Sequence, residues 1–282
     1  MNILSVEKLN ITIGSNEKIK SGAFDIESGD VALLTGPNGC GKSTLIKILM
    51  GGAFEYSNLD FSGFASYKGG KNILNSDSEN ERFRKEVCYV SQEDEFESES
   101  VLDCYINSIS YSVKDNPEKY VFEFIKVFSI QECFGRSSRI ALSARRFHSI
   151  AKKVGIVKND MDETDTAVIQ YLSMSTKKMS GGERKLTNIF SNLIRYRFSD
   201  LILLDEPLNN LDFNNVRNFS NILTRIYRSK PELAIILVTH CRSIPIVNRM
   251  LEIDPQTKSI KEGVSYTCSS CFGQIDENGL YI

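Results

Sequence analysis

The stretch that most limits what this chain can be is Gly36-Pro37-Asn38-Gly39-Cys40-Gly41-Lys42-Ser43-Thr44, which fits G-x-x-x-x-G-K-[ST], the phosphate-binding P-loop. Its flanks supply the context the motif needs. Val31-Ala32-Leu33-Leu34-Thr35 reads as a buried strand. Leu45, Ile46, Ile48 and Leu49 form the apolar face of a helix that stops at Gly51-Gly52. Glycines at 36, 39 and 41 let the backbone bend and approach a polyphosphate closely. The loop N–H groups and the start of the new helix then point at phosphate charge. Lys42 places a point charge at the β- and γ-phosphates, and the Ser43 hydroxyl is placed for magnesium. A glycine-rich turn with no ligand is the plain alternative, and the flanking pattern speaks against it.

The 282 residues suit one large domain or two modest ones, and a net charge of −2 gives no global basic field for nucleic acid. No apolar run approaches the ~18 residues that span a bilayer. Residues 1–10 lack a basic stretch followed by an apolar one, so no signal peptide is expected. The seven cysteines are odd in number and spread without a framework, which suits reduced thiols in a cytoplasmic protein.

In chain order, Ile3, Leu9, Ile11 and Ile13 alternate with polar residues, and Ala23-Phe24-Asp25-Ile26 repeats the habit; both predict antiparallel strands. Asn75-Ser76-Asp77-Ser78-Glu79-Asn80-Glu81 predicts a solvated loop. Val87-Cys88-Tyr89-Val90-Ser91 is an apolar strand ending at Gln92, followed by the acidic run Glu93-Asp94-Glu95-Phe96-Glu97-Ser98-Glu99. From residue 101 to about 176 the pattern is helical, with Val121, Phe124, Ile125 and Phe128 expected in the core. Arg136, Arg139, Arg145, Arg146, Lys152, Lys153 and Lys158 follow without an intervening acid, and Asp160, Asp162, Glu163 and Asp165 come next. Two solvated faces attracting one another would explain this block, and so would a partner-binding surface. Ser180-Gly181-Gly182-Glu183-Arg184 opens a helix through Leu186, Ile189, Leu193 and Ile194. Leu201-Ile202-Leu203-Leu204 is a buried strand ending in Asp205-Glu206-Pro207. Residues 213–228 form an amphipathic helix, and residues 234–239 another buried strand with His240 at its end. Such alternation predicts an α/β fold with a mostly parallel sheet.

Ligands gather beyond the carboxyl ends of parallel strands. Asp205 would therefore reach the P-loop magnesium and Glu206 the γ-phosphate, although two acids after a strand could instead start a helix. Gln92, Met179-Ser180-Gly181-Gly182-Glu183, Asp205-Glu206-Pro207, Asn210-Leu211-Asp212 and Val238-Thr239-His240 fall in a fixed order after the P-loop. The ordered set resembles the ATP-binding cassette (ABC) ATPases over about residues 1–262. The resemblance implies a P-loop NTPase cassette with an antiparallel β subdomain, an inserted helical subdomain near 93–180 and a separate tail at 263–282. It implies ATP and magnesium as cofactors and Glu206, His240, Gln92 and Lys42 as the catalytic set. Residues 36–44 would cradle the nucleotide from this chain. Ser180, Gly181 and Gly182 would close over the γ-phosphate of ATP held by a second cassette, in a homodimer or heterodimer; Asn210 to Asp212 would lie at the dimer seam, and Glu183 and Asp212 count with the nucleotide-binding set. Ser43, Gln92 and Asp205 would attend the metal. Head-to-tail dimers with two ATPs at a two-fold interface are the family's arrangement.

The chain departs from the family in three places. Residues 9–18 hold no aromatic to stack on adenine, and Ile13 is the nearest apolar substitute. Asn209-Asn210 stand where small residues are common, and the stretch from 92 to 180 is long for a helical subdomain. In the tail, Cys268-Ser269-Ser270-Cys271 has zinc-ligand spacing, but a structural zinc needs four ligands. Two functions are expected to compete. One is an ATPase subunit driving separate transmembrane permease subunits from the cytoplasmic face. The other is a soluble ABC ATPase acting on nucleic acid, ribosomes or a protein.

Overall fold

A computed structural model describes residues 1–52, 58–91, 98–134, 144–156, 161–239, 244–263 and 280. Two sheets organise it. β1 (Asn2–Ile13) and β2 (Asn16–Glu27) form an antiparallel hairpin, with Ile11 opposite Ile19 and Ile13 opposite Asn16. β3 (Val31–Thr35) starts the second sheet, α1 (Lys42–Leu49) follows it, and β4 (Leu59–Tyr67) returns to pair with the free edge of β1. The small sheet is therefore ordered β2-β1-β4.

The large sheet contains β3, β5 (Val87–Val90), β6 (Leu201–Asp205), β7 (Ala234–Val238), β8 (Arg249–Ile253) and β9 (Ile260–Glu262). Its order is β5-β6-β7-β3-β8-β9; all pairs are parallel except β8 with β9. Strands covered on both faces read as continuous apolar runs rather than alternations. That is why β3, β6 and β7 are buried at every residue. Alternate residues serve different cores. Ala32, Leu34, Leu203 and Ile236 pack with α1 and the antiparallel sheet. Val31, Leu33, Ile202, Leu204 and Ile235 pack with the helices on the other face.

Those helices are α3 (Val101–Ile109), α4 (Pro117–Phe128), α5 (Ala144–Lys153), α6 (Glu163–Leu172), α7 (Gly181–Leu193) and α8 (Phe213–Ser229). Val121, Phe124, Ile125 and Phe128 are buried as the helical spacing predicts. A buried hydroxyl chain joins α3 to α6 and α7: Tyr105 to Tyr171 at 3.2 Å, and Tyr171 to Thr187 at 3.2 Å. Polar groups this deep need such partners.

One expectation fails. Most of Asn75–Glu81 is not loop but the start of a helix, α2 (Asp77–Glu86). Ser76 caps it by accepting from the Glu79 N–H, and pairs Glu81–Lys85 and Arg82–Glu86 lie along its exposed side. Only Phe83 is buried, edge-on against Tyr67 with ring centroids 5.1 Å apart. A helix with one buried side chain has almost no apolar periodicity to read. Its Asn80 amide also donates to the Leu49 carbonyl at the end of α1, at 3.0 Å. The sequence pattern likewise does not announce strands β4, β8 and β9.

The two sheets are tied by a charge cluster in which Lys68, just past β4, pairs with Asp200, just before β6, and Lys230 approaches Asp200 at 3.3 Å. The hydrogen bond from Lys68 holds the Asp200 carboxyl below its ordinary pKa. A lowered carboxylate pKa contributes stability above the ordinary value, near pH 4, that is lost as pH falls through the lowered one. Asp200→Asn should therefore lower the melting temperature modestly at neutral pH. Because the carboxylate is partly exposed, about 1 kcal/mol or less is at stake. The gap from the native chain should close below about pH 4. A gap that stays constant with pH would show that the pair is not its source.

Candidate functional site

The P-loop adopts the path its glycines predict. Gly36 and Gly41 lie at φ 149° and 109°. A Cβ on Gly36 would come within 2.8 Å of Cys40 Sγ, and one on Gly41 within 3.0 Å of Lys18 Cβ. Close approach and backbone conformation both demand glycine here. Cys40 itself is buried behind the loop, with its N–H donating to the Pro37 carbonyl at 3.3 Å.

Lys42 opens α1 and is almost fully buried. Its Nζ donates to the Gly36 and Pro37 carbonyls at 2.9 and 3.2 Å. The next residue bridges two elements: Ser43 Oγ donates to Asp205 Oδ1 at 2.7 Å, across the gap between α1 and the end of β6. Asp205 is wholly buried and Glu206 nearly so. Glu206 takes φ 48°, a conformation that costs a residue with a side chain free energy, and its N–H donates to the Val238 carbonyl at 2.9 Å. The end of β7 thus braces the turn that presents Glu206.

A second support comes from α7. Lys185 Nζ donates to the carbonyls of Glu206 and Asn209 at 3.4 and 2.5 Å. Burial lowers the Lys185 pKa, and the Glu206 charge partly opposes this. Nothing in the sequence pattern singled out Lys185, because its partners are backbone carbonyls.

Asn38, Gly39, Gly41, Lys42, Ser43, Thr44 and Glu206 line one cleft of about 570 Å³. Ile13, Lys18 and Asn209 complete its wall. Ile13 thus stands at the cleft, where the missing aromatic left it as substitute. Ser180, Gly181, Gly182 and Glu183 do not line it. They form the exposed-to-half-buried start of α7, where Ser180 Oγ accepts from the Glu183 N–H at 3.3 Å and Glu183 Oε2 accepts from the Ser180 N–H at 2.9 Å. That reciprocal cap presents the helix N-terminus outward. Asp212 caps α8 nearby: its carboxylate accepts from Asn215, whose amide nitrogen a Cβ on Gly182 would meet at 2.9 Å. Gln92 and His240 lie outside the described residues, as do Cys268 and Cys271. The four described cysteines, Cys40, Cys88, Cys104 and Cys133, are free thiols. Burial pushes the Cys88 thiol up to about 12, which makes it unreactive.

The profile of the ABC transporter family matches residues 19–209. The chain belongs to that family and is an ATPase of its ATP-binding cassette class. It is similar to a probable metal transport system ATP-binding protein of Thermotoga maritima, at 24% identity over 92% of this chain and 87% of that one. A phosphate import ATP-binding protein, PstB, of Saccharolobus solfataricus is 26% identical over 84% of this chain and 78% of its own length. Solved structures share the fold. The cbiO1 protein of Clostridium perfringens, part of the ABC transporter complex cbiONQ, superposes with a TM-score of 0.63 at 21% identity, covering 93% of this chain and 88% of that one. A dimeric ATP-binding cassette in a post-hydrolysis state, bound to ADP and Pi, gives 0.64 at 16% identity, covering 94% and 99%.

Proposed function

We propose that this cassette hydrolyses magnesium-ATP at sites shared between two cassettes and thereby drives transport through separate membrane-spanning subunits. One observation carries the shared site. The cleft assembles Lys42, Ser43 and Glu206, with Asp205 bonded to Ser43, while Ser180, Gly181 and Gly182 do not line it. Each chain then offers half of two sites, which a two-fold head-to-tail dimer completes.

The donor set suits the cofactors. The Ser43 hydroxyl and Asp205 carboxylate are hard oxygen donors on adjoining elements, the chemistry magnesium takes. When bound, the ion neutralises phosphate charge. The P-loop N–H groups and Lys42 hold the β- and γ-phosphates, leaving its carbonyl partners as it does so. Glu206, held by the Val238 and Lys185 contacts, orients the attacking water and takes its proton. Gln92 and His240 enter on their sequence positions, at the metal and at the γ-phosphate. Ser180, Gly181 and Gly182 close over the nucleotide of the opposite chain.

Among the described residues no helix is long and apolar enough to cross a membrane. Transport therefore calls for permease subunits, with this chain peripheral on the cytoplasmic face. The basic block bears on the partner. Asp162 and Asp165 pair with Lys126 of α4, at 3.4 and 2.6 Å, and of the block's side chains the described ones, Lys152 and Lys153, are exposed on α5; those of Arg136, Arg139, Arg145, Arg146 and Lys158 lie outside the described residues. This favours a block that meets something anionic outside the chain, whether permease, headgroups or nucleic acid. Fractionation of native cells tests the two readings. Membrane-bound chain, extracted in complex with a multi-span protein, is expected. Chain absent from membranes, with ATPase activity stimulated by nucleic acid, would favour the soluble alternative.

A further inference from the structure

Phosphate chemistry accounts for part of the cleft lining and leaves Ile13 and Lys18 without a role. Lys42, Ser43 and Glu206 mark the part where the γ-phosphate is cleaved. The cleft wall also includes the tip of the β1–β2 hairpin, where Ile13 and Lys18 flank a tight turn. Both are half-buried. Lys18 leans on the P-loop itself: its Cβ sits against Gly41, and its Nζ donates to the Gly39 carbonyl at 2.9 Å. With its side-chain amide turned, the Asn16 oxygen accepts from the same Nζ at 3.1 Å. An ammonium has three donors, so one remains for a ligand in the cleft. Among the described lining residues none is aromatic.

We propose that Lys18 and Ile13 form the base-end subsite of this cleft and that Lys18 supplies there, by charge, the affinity an aromatic ring would supply by stacking. The proposal rests on the ATP reading above. Lys18 is then a second nucleotide-binding cation, placed for the α-phosphate, ribose oxygens and purine N7. All of these are acceptors, and all are common to ATP, ADP and GTP. An ammonium accepts nothing, so it cannot recognise the adenine amino group. Ile13 offers non-directional apolar contact. A base end so built tells adenine from guanine poorly and binds more weakly as salt rises.

The test is equilibrium binding of ATP, ADP and GTP to the full chain, read by calorimetry. The native chain should bind ATP and GTP within about threefold of each other, since nothing base-specific lines the subsite. Lys18→Ala should weaken all three nucleotides by about tenfold, with Lys18→Arg restoring most of the loss. Ile13→Tyr should tighten ATP binding by at least about fivefold, because it returns a stacking surface. The inference is overturned by ATP preferred over GTP by orders of magnitude in the native chain. Unaltered ATP affinity in Lys18→Ala would overturn it too, as would equal losses in the Ala and Arg variants with a lowered melting temperature. In those cases Lys42→Ala still weakens ATP binding by about a hundredfold, and the ATP reading survives. If the native chain binds no nucleotide and Lys42→Ala changes nothing, both fall together.

Discussion

Glu206→Gln should reduce ATP turnover at least about a hundredfold, the usual share of a positioned general base, while leaving ATP affinity near that of the native chain. The substitution keeps the volume of the side chain and removes its capacity to take a proton. The backbone that presents residue 206 depends on contacts from the Val238 carbonyl and the Lys185 ammonium to main-chain atoms of residue 206, which the substitution does not change. Its positive φ is also the same for Gln as for Glu. Loss of activity without loss of fold is therefore the expected pattern, measured by phosphate release alongside nucleotide binding. Turnover near the native rate would remove Glu206 from the role of base.

Lys42→Ala acts on the other half of the problem. Charge-assisted hydrogen bonds to a buried ammonium are each worth about 1.5–3 kcal/mol. Losing the ammonium should weaken ATP binding by about a hundredfold. ADP should suffer as well, because the β-phosphate is held by the same group. The protein should remain folded, since among the described residues the Lys42 ammonium bonds to two carbonyls of its own loop. Lys42→Arg should not rescue, because a planar guanidinium cannot occupy the narrow site of a point charge. Unchanged ATP affinity would contradict the P-loop assignment.

The parts legible in the sequence are those where one physical cause acts alone. Buried parallel strands announce themselves as unbroken apolar runs, so β3 is readable to the residue and β6 and β7 to within one residue at their ends. The P-loop was readable because close backbone approach leaves glycine no substitute at 36 and 41. Helix α2 was not, because charge pairs and a serine cap hold it while a single phenylalanine is buried. Strand β9 hides in the sequence because it has three residues, and β8 because Arg249 and Glu252 interrupt its apolar run. β9 buries only Ile260, and β8 is recognisable mainly by what it pairs with. Within the site, Lys42, Ser43, Asp205 and Glu206 came from motif order, and the structure brings them together. Lys18 and Lys185 were invisible for a shared reason. Their work is done through main-chain carbonyls far away in sequence, and a carbonyl leaves no trace in the identity of its residue.

Ser180 does not line the chain's own cleft, and the proposed function gives it to the nucleotide of a second cassette. The most direct measurement is the mass in solution of the Glu206→Gln chain, with and without magnesium-ATP, by light scattering on an eluting column. ATP should convert single chains to pairs. Adding Ser180→Arg should prevent the pairing while leaving ATP bound, because the arginine would stand where the opposite nucleotide's γ-phosphate must approach. A Glu206→Gln chain that binds ATP one-to-one and keeps the mass of a single chain would contradict a site shared between two cassettes.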